Sequence, residues 1–193
     1  MRNSRHPMTT RTLAYCALLT ALSVVLARLV IPMPAADTRF SIEAVPIFLA
    51  GMLFGPLPGA LVGFSADFIG CLFSPYGYNP LFCVPPILYG LIAGLLRKFL
   101  CEKVSPIRLA FGFLPPVVLG SILYQSLTLS YLYFDGGLVA GFMYYLTTRS
   151  VQFGITLVLD VLVIYLLCKA NIFQRAGVWP VKKRKEDTEN ECK

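Results

Sequence analysis

A chain of 193 residues that is 56% hydrophobic, with a mean hydropathy of +0.69 and only 14% charged residues, lies far below the roughly 25% charge of an ordinary soluble domain. Long apolar segments recur from residue 12 to residue 168 with little charge between them, which leaves no room for a separate soluble domain and places the chain in a bilayer. The formal net charge of +7 does not indicate nucleic acid, because the basic run "KKRKEDTENECK" has no interleaved aromatics and no folded domain behind it.

At about 20 residues per crossing of about 30 Å of hydrocarbon, the pattern predicts helices near residues 12–32, 41–57, 59–73, 81–100, 110–134 and 141–169. The expected fold is an all-α integral membrane protein, six transmembrane helices in one compact bundle over residues 11–170. A short tail (1–10) precedes it and a basic tail (171–193) follows. Six crossings put both termini on one side, and positive charge makes that side cytoplasmic. With the N terminus inside, the inner segments hold Arg2, Arg5 and Arg11, then Arg97, Lys98, Lys103 and Arg108, then Lys169, Arg175, Lys182, Lys183, Arg184, Lys185 and Lys193. The first apolar run is longer than the core of a secretory signal and is read as a retained span.

The first span, "LAYCALLTALSVV", presents Ala14, Ala17 and Ala21, with Ala17-x-x-x-Ala21 one turn apart, a spacing that lets another helix approach closely. It ends at Arg28, and the loop "IPMPAADTRF", stiffened by Pro32 and Pro34, delivers Arg39 and Phe40 just before Glu43. Gly51, Gly55, Gly59 and Gly63 repeat every four residues, but Pro56 and Pro58 interrupt them, so the segment predicts a tight turn with close packing on either side. The third span carries Asp67 and runs into "CLFSPYGYNPLFCVPP", whose Ser74-Pro75, Tyr78, Asn79 and Pro80 make a rigid, aromatic-rich turn. An interfacial aromatic belt is the competing reading of Tyr76 and Tyr78. Pro85-Pro86 and Pro115-Pro116 predict kinked spans whose freed backbone groups find partners inside the bundle. In the fifth span Ser121, Gln125 and Thr128 form a short polar stripe suited to interhelical hydrogen bonds.

The sixth span, "YYLTTRSVQFGITLVLD", places Tyr145, Arg149, Gln152, Thr156 and Asp160 at intervals that share one helix face, and a polar stripe in a membrane helix has to look inward. Asp160 lies about 16 Å along the helix from Arg149, too far for a direct pair, and is expected to be structural. Arg28, Arg39 and Arg149 are the three basic residues that the positive-inside count leaves over, and all fall in the outer half. A guanidinium costs about 2.5–3.5 kcal/mol at mid-membrane. Each therefore either pairs with Glu43, Asp67, Asp37 or Asp135, or snorkels, or faces a wet cationic pocket.

Enzymatic signatures are missing. The single histidine, His6, lies in the N-terminal tail, so neither a Ser-His-Asp set nor a histidine metal site can be built in the bundle. There is no GxxxxGK[ST] phosphate loop, so any ATP use belongs to a partner. The six cysteines have no CxxC spacing, sit mostly in spans, and read as small hydrophobes rather than disulfides.

Six spans with both ends inside, an AxxxA in the first, a Pro-rich first outer loop and no ATPase motif resemble the S components, the substrate-binding subunits of energy-coupling factor (ECF) vitamin transporters. The stretch "RFSIEAVPIFLAGMLFGPLPGALVGFSADFIGCLFSPYGYNP", residues 39–80, resembles the folate-specific branch. The resemblance implies a multi-pass protein of a bacterial cell membrane that binds folate or reduced folates, has no cofactor and is not an enzyme. It also implies docking through Ala14, Ala17 and Ala21 onto a transmembrane coupling subunit with two cytosolic ATPases, a gating first loop, and delivery by toppling in the membrane. Folate chemistry fits the residues: its glutamate carboxylates ask for Arg28, Arg39 and Arg149. Its pterin asks for a polar edge from Asp67, with Glu43 and Asn79 behind it, and for stacking on Phe40, Tyr78 or Tyr145; Gln152, on the stripe of the sixth span, is a further ligand-binding candidate. An S component for another anionic vitamin or precursor is the alternative, and an intramembrane lipid-phosphate enzyme a more distant one.

Overall fold

The computed structural model describes residues 10–28, 31–32, 39–40, 42–73, 79–102, 104–133 and 137–170, with backbone alone at 28, 31, 32, 39, 40 and 133. Helix α1 (Thr10–Arg28) is followed by two short strands, β1 (Ile31–Pro32) and β2 (Arg39–Phe40). They pair antiparallel, Ile31 opposite Phe40 and Pro32 opposite Arg39. Next come α2 (Ala44–Phe54), α3 (Pro56–Leu72), a 3-10 turn (Pro80–Cys83), α4 (Val84–Leu95) and α5 (Arg97–Glu102). The chain continues through α6 (Pro106–Pro116), a π-helical stretch (Val117–Tyr124), α7 (Gln125–Tyr133) and α8 (Leu138–Lys169). Among the described residues, Thr10–Ala27, Pro106–Leu132 and Leu138–Lys169 are long and apolar enough to cross a membrane, and Ala44–Phe54, Pro56–Leu72 and Pro80–Leu95 are shorter apolar helices.

Proline and glycine explain where the predicted boundaries move. The break between the second and third helices falls at Gly55 alone, whose φ of 110° is open to glycine. Its N–H donates to the Gly51 carbonyl at 2.9 Å. Pro56 then begins α3, where a missing N–H removes no helical hydrogen bond. The same rule corrects the expected kink at Pro85-Pro86: both lie in the first turn of α4, so they start that helix rather than bend it. Pro115-Pro116 do lie inside a helix. Having no N–H to give, they are followed by eight residues of wider π turns, and the fifth segment continues to Tyr133. The predicted fourth helix ends early, at Leu95, and α5 follows as a separate piece.

Named contacts fix the helix directions. Ser23 Oγ donates to the Glu43 carbonyl at 2.8 Å while Tyr15 stacks near Phe54 at 6.0 Å, so α1 and α2 are antiparallel. Across α3 and α4 the facing pairs are Pro56 with Gly94, Gly59 with Gly90 and Gly63 with Pro86, again antiparallel. These are backbone-to-backbone approaches: a Cβ at Gly59 would strike the Gly90 carbonyl oxygen, one at Gly63 the Pro86 carbonyl, and one at Gly90 the Gly59 carbonyl. Tyr89 shares a 3.0 Å hydrogen bond with Ser121, tying α4 to the π stretch and making Ser121 the interhelical contact its spacing predicts. Ser130 Oγ donates to the Leu138 carbonyl at 2.7 Å, so α8 folds back along α7. The end of α1, the start of α2, the end of α3, the 3-10 turn, the end of α7 and the start of α8 therefore share one end of the bundle, here called the first-loop end.

Helix α2 is apolar on every side, a pattern that only a surrounded helix can satisfy, and Val45 through Leu53 are buried. At its centre Phe48 stacks on Phe113 with centroids 3.9 Å apart, both fully buried. The outside is inverted relative to a soluble protein: Leu18, Leu57, Leu72, Ile107, Val139 and Val158 are all well exposed. A surface of this kind is stable against lipid and not against water.

Candidate ligand site

At the first-loop end lie the backbones of Arg28, Arg39 and Phe40 together with Glu43 and Asn79, half of the ten ligand residues that the sequence selects. Arg28 is the last residue of α1. The β1–β2 pairing turns the first loop back on itself, so the backbones of Arg39 and Phe40 return to within a few residues of Arg28. The side chains of these three lie outside the described residues, as does Tyr78 altogether. Glu43 is exposed at the entrance to α2, held through its carbonyl by Ser23.

Asp67 sits five residues before the end of α3, about one and a half turns inward. Among the described residues its partners are thiols rather than arginines. Cys83 Sγ donates to Oδ2 at 2.7 Å, and Cys71 Sγ approaches the same oxygen at 3.9 Å. The reading of these cysteines as plain small hydrophobes is thereby corrected. Asn79 is drawn into local structure: its Oδ1 accepts from the Leu81 N–H at 3.1 Å and caps the 3-10 turn. That takes one of the two lone pairs of its oxygen and leaves the other, with its NH₂, for a ligand.

On α8, Tyr145, Arg149 and Gln152 are half-buried, while Thr156 and Asp160 further along the same face are buried at 8% and 2% exposure. The stripe therefore looks inward, as its spacing predicts. Arg149 stands about 16 Å from the start of α8, and its guanidinium carbon lies 5.7 Å from the centroid of the Phe153 ring. Such a cation–π contact offsets about 0.5–2 kcal/mol of the desolvation cost. Among the described residues the one ion pair is Arg108 with Glu102 at 3.8 Å. No carboxylate neutralises Arg149 there, which removes Glu43 and Asp67 as its partners. Asp160 stays apart from it, with Oδ1 unpartnered among the described residues. Tyr145 meets Tyr144 edge-on, with centroids 5.4 Å apart.

A second feature lies elsewhere. Between α1 and α3 a groove of about 620 Å³ opens, lined by Ala17, Ala21, Val25, Leu61, Ile69 and others. It contains none of the predicted ligand residues but two of the three predicted docking alanines; Ala14, Ala17 and Ala21 are all exposed. The groove is almost wholly apolar, and the Thr20 hydroxyl on its wall is already bonded to the Cys16 carbonyl at 2.9 Å.

Sequence reasoning missed Cys83 and Phe153 as site neighbours. The i, i+4 spacing of Asp67 and Cys71 was legible, but Cys83 reaches Asp67 only because the 73–80 loop returns the chain. Among the described residues no group of three or more His, Cys, Asp or Glu could hold a metal ion.

An inverted apolar exterior and three membrane-length helices mark a membrane protein, and among the described residues no carboxylate pairs with the Arg149 guanidinium on the longest of those helices. The chain belongs to the S components of ECF-type transporters: the family model "ECF-type riboflavin transporter, S component" matches residues 7–167. The crystal structure of FolT bound with folic acid superposes with a TM-score of 0.68 at 28% identity, covering 82% of this chain and 93% of that one. The Clostridium novyi folate transporter FolT is 31% identical over 107 residues, 54% of this chain and 60% of that protein. A biotin S component shares the fold, with a TM-score of 0.53 at 20% identity over 84% of this chain and 95% of that one. Matched stretches in other curated relatives are shorter, spanning 13% of a Mycoplasma pneumoniae protein and 43% of a Streptococcus pneumoniae one.

Proposed function

We propose that this chain is the folate-binding S component of an ECF importer in a bacterial cell membrane. The observation that carries this reading is Arg149, a half-buried cation on a membrane-length helix with no carboxylate partner among the described residues. A protein does not leave such a charge uncompensated without a use for it. A ligand with two carboxylates compensates it, and Arg28 and Arg39 stand at the same end to share them. The likeness to FolT with folic acid selects folate among dianions. Asp67 then takes the amino-pyrimidinone edge, and Tyr145 and Gln152 line the slot together with Phe40, Glu43, Tyr78 and Asn79. Riboflavin, named in the family model, offers hydrogen-bond acceptors but no carboxylate, and so no counter-charge for Arg149.

In this reading residues 11–170 form the transport domain as six crossings, with tails 1–10 and 171–193 in the cytoplasm and the first-loop end facing outward. The placement of all but three of the 17 Lys and Arg supports that orientation. The chain itself uses no cofactor. It docks on a transmembrane coupling subunit with two ATPases and delivers folate by toppling.

Isothermal titration of the detergent-purified protein tests the ligand. Folate should bind in the nanomolar range, pteroic acid, which lacks the glutamate, at least a hundredfold more weakly, and riboflavin not at all. Folded protein that ignores folate and takes riboflavin would overturn the assignment. Docking is tested separately. A tryptophan at Ala17 or Ala21 fills the α1–α3 groove, so Ala17→Trp and Ala21→Trp should stop copurification of the ATPase subunits from membranes while leaving folate affinity within about twofold. Undiminished copurification would remove the groove from the docking surface.

A further inference from the structure

We propose that Cys83 and Cys71 are positioning residues of the ligand site, clasping one oxygen of Asp67 so that the other meets the donor edge of the ligand's heterocycle. The inference rests on the folate reading and adds to it two residues that the ligand chemistry alone does not call for. Both sulfurs converge on Oδ2, Cys83 at 2.7 Å and Cys71 at 3.9 Å. No described residue donates to Oδ1. The two thiols come from different elements. Cys71 lies one turn along α3 from Asp67, and Cys83 is buried in the 3-10 turn at 4% exposure. The carboxylate is thus held from two directions and cannot swing freely.

Thiols suit this task because of what they do not do. An arginine in their place would take both oxygens in a bidentate pair and cancel the charge. A thiol is a weak, neutral donor, so it fixes one oxygen while Asp67 keeps its charge and a free acceptor. The amino-pyrimidinone edge of a pterin presents a ring N–H and an NH₂ side by side. Oδ1, held at a fixed angle, can accept from this edge through its two lone pairs, and an order-of-magnitude gain from pre-orienting it is in keeping with hydrogen bonds to charged groups.

The test compares the wild type, Cys83→Ala and Cys83→Ser, titrated in detergent with folate and with p-aminobenzoylglutamate, which keeps both carboxylates but lacks the pterin. Melting of each ligand-free protein is followed alongside. Cys83→Ala should weaken folate about tenfold and leave p-aminobenzoylglutamate within about twofold, with no change in melting. Cys83→Ser, whose hydroxyl can donate to the same oxygen, should return folate to within about threefold of the wild type. Wild-type folate affinity in Cys83→Ala overturns the clasp, and so does an equal loss for both probes with lowered melting, which would mark a packing role. If the folded wild type fails to bind folate, the folate reading falls and the clasp with it.

Discussion

Replacing Arg149 with alanine is expected to weaken folate binding by roughly 2–5 kcal/mol, about thirtyfold to several thousandfold in Kd. The size follows from where the guanidinium sits. It is half-buried on a membrane-length helix and leans on the Phe153 ring, and no described carboxylate neutralises it. Bound folate would therefore supply its main counter-charge, and a ligand carboxylate left facing apolar walls would lose the full pairing. Pteroic acid should lose less than folate from the same change, because its single benzoate carboxylate stands nearer the pterin than the two glutamate carboxylates do. Arg149→Lys keeps a charge but not the planar fork, so it should fall between the wild type and alanine. Lys98→Ala, at an exposed position on α5 at the opposite end, serves as control and should leave folate affinity unchanged. Titration calorimetry reads all of these, and equal small effects at residues 98 and 149 would sink the assignment of Arg149 to the pocket.

The architecture was legible wherever hydropathy alone decides. Among the described residues each of the six apolar segments overlaps helix, and three of those helices are long and apolar enough to cross a membrane, where the backbone has to satisfy its own hydrogen bonds. Boundaries were less legible, for reasons that proline and glycine supply. Pro85-Pro86 and Pro115-Pro116 look alike in sequence, yet one pair begins a helix and the other lies within one. The difference is set by what precedes them: the 3-10 turn at Pro80–Cys83 in one case, a helix already running from Pro106 in the other. The glycine spacing from Gly51 to Gly63 signalled close packing but could not name its partner, since the register against Gly90 is a tertiary fact.

At the site, the α8 face was legible because a 3.6-residue period survives in sequence, and the burial of Thr156 and Asp160 agrees with it. The setting of Asp67 was not. Its partners are a cysteine one turn away and another brought round by a loop, and an acid beside three surplus arginines invites an ionic reading that the described structure does not contain. Asn79 was similarly ambiguous, because an asparagine before proline can cap a turn as readily as it can bind a ligand.

Replacing Gly90 with valine is expected to abolish recovery of folded protein, because the glycine is where two helices meet without side chains between them. Even a single Cβ at Gly90 would fall on the carbonyl of Gly59, and the contact is reciprocated, since Gly51 and Gly59 both face the Gly90 carbonyl oxygen. The obstructing atoms are backbone, so no rotamer change can relieve the overlap and α3 and α4 must move apart. Overpacking that displaces backbone costs about 1–3 kcal/mol in tolerant cores and more where nothing can yield. Separation here would also open α2, which packs on α4 through Gly51, Ala93 and Gly94, and α2 forms the centre of the buried core. Gly154 is the contrasting case. It lies within α8 with nothing within 4 Å of an added Cβ, so Gly154→Ala should fold normally and gain up to about 1 kcal/mol from reduced backbone freedom. Size-exclusion profiles and melting in detergent separate the two variants. A monodisperse Gly90→Val with wild-type melting would mean that α3 and α4 do not pack backbone to backbone.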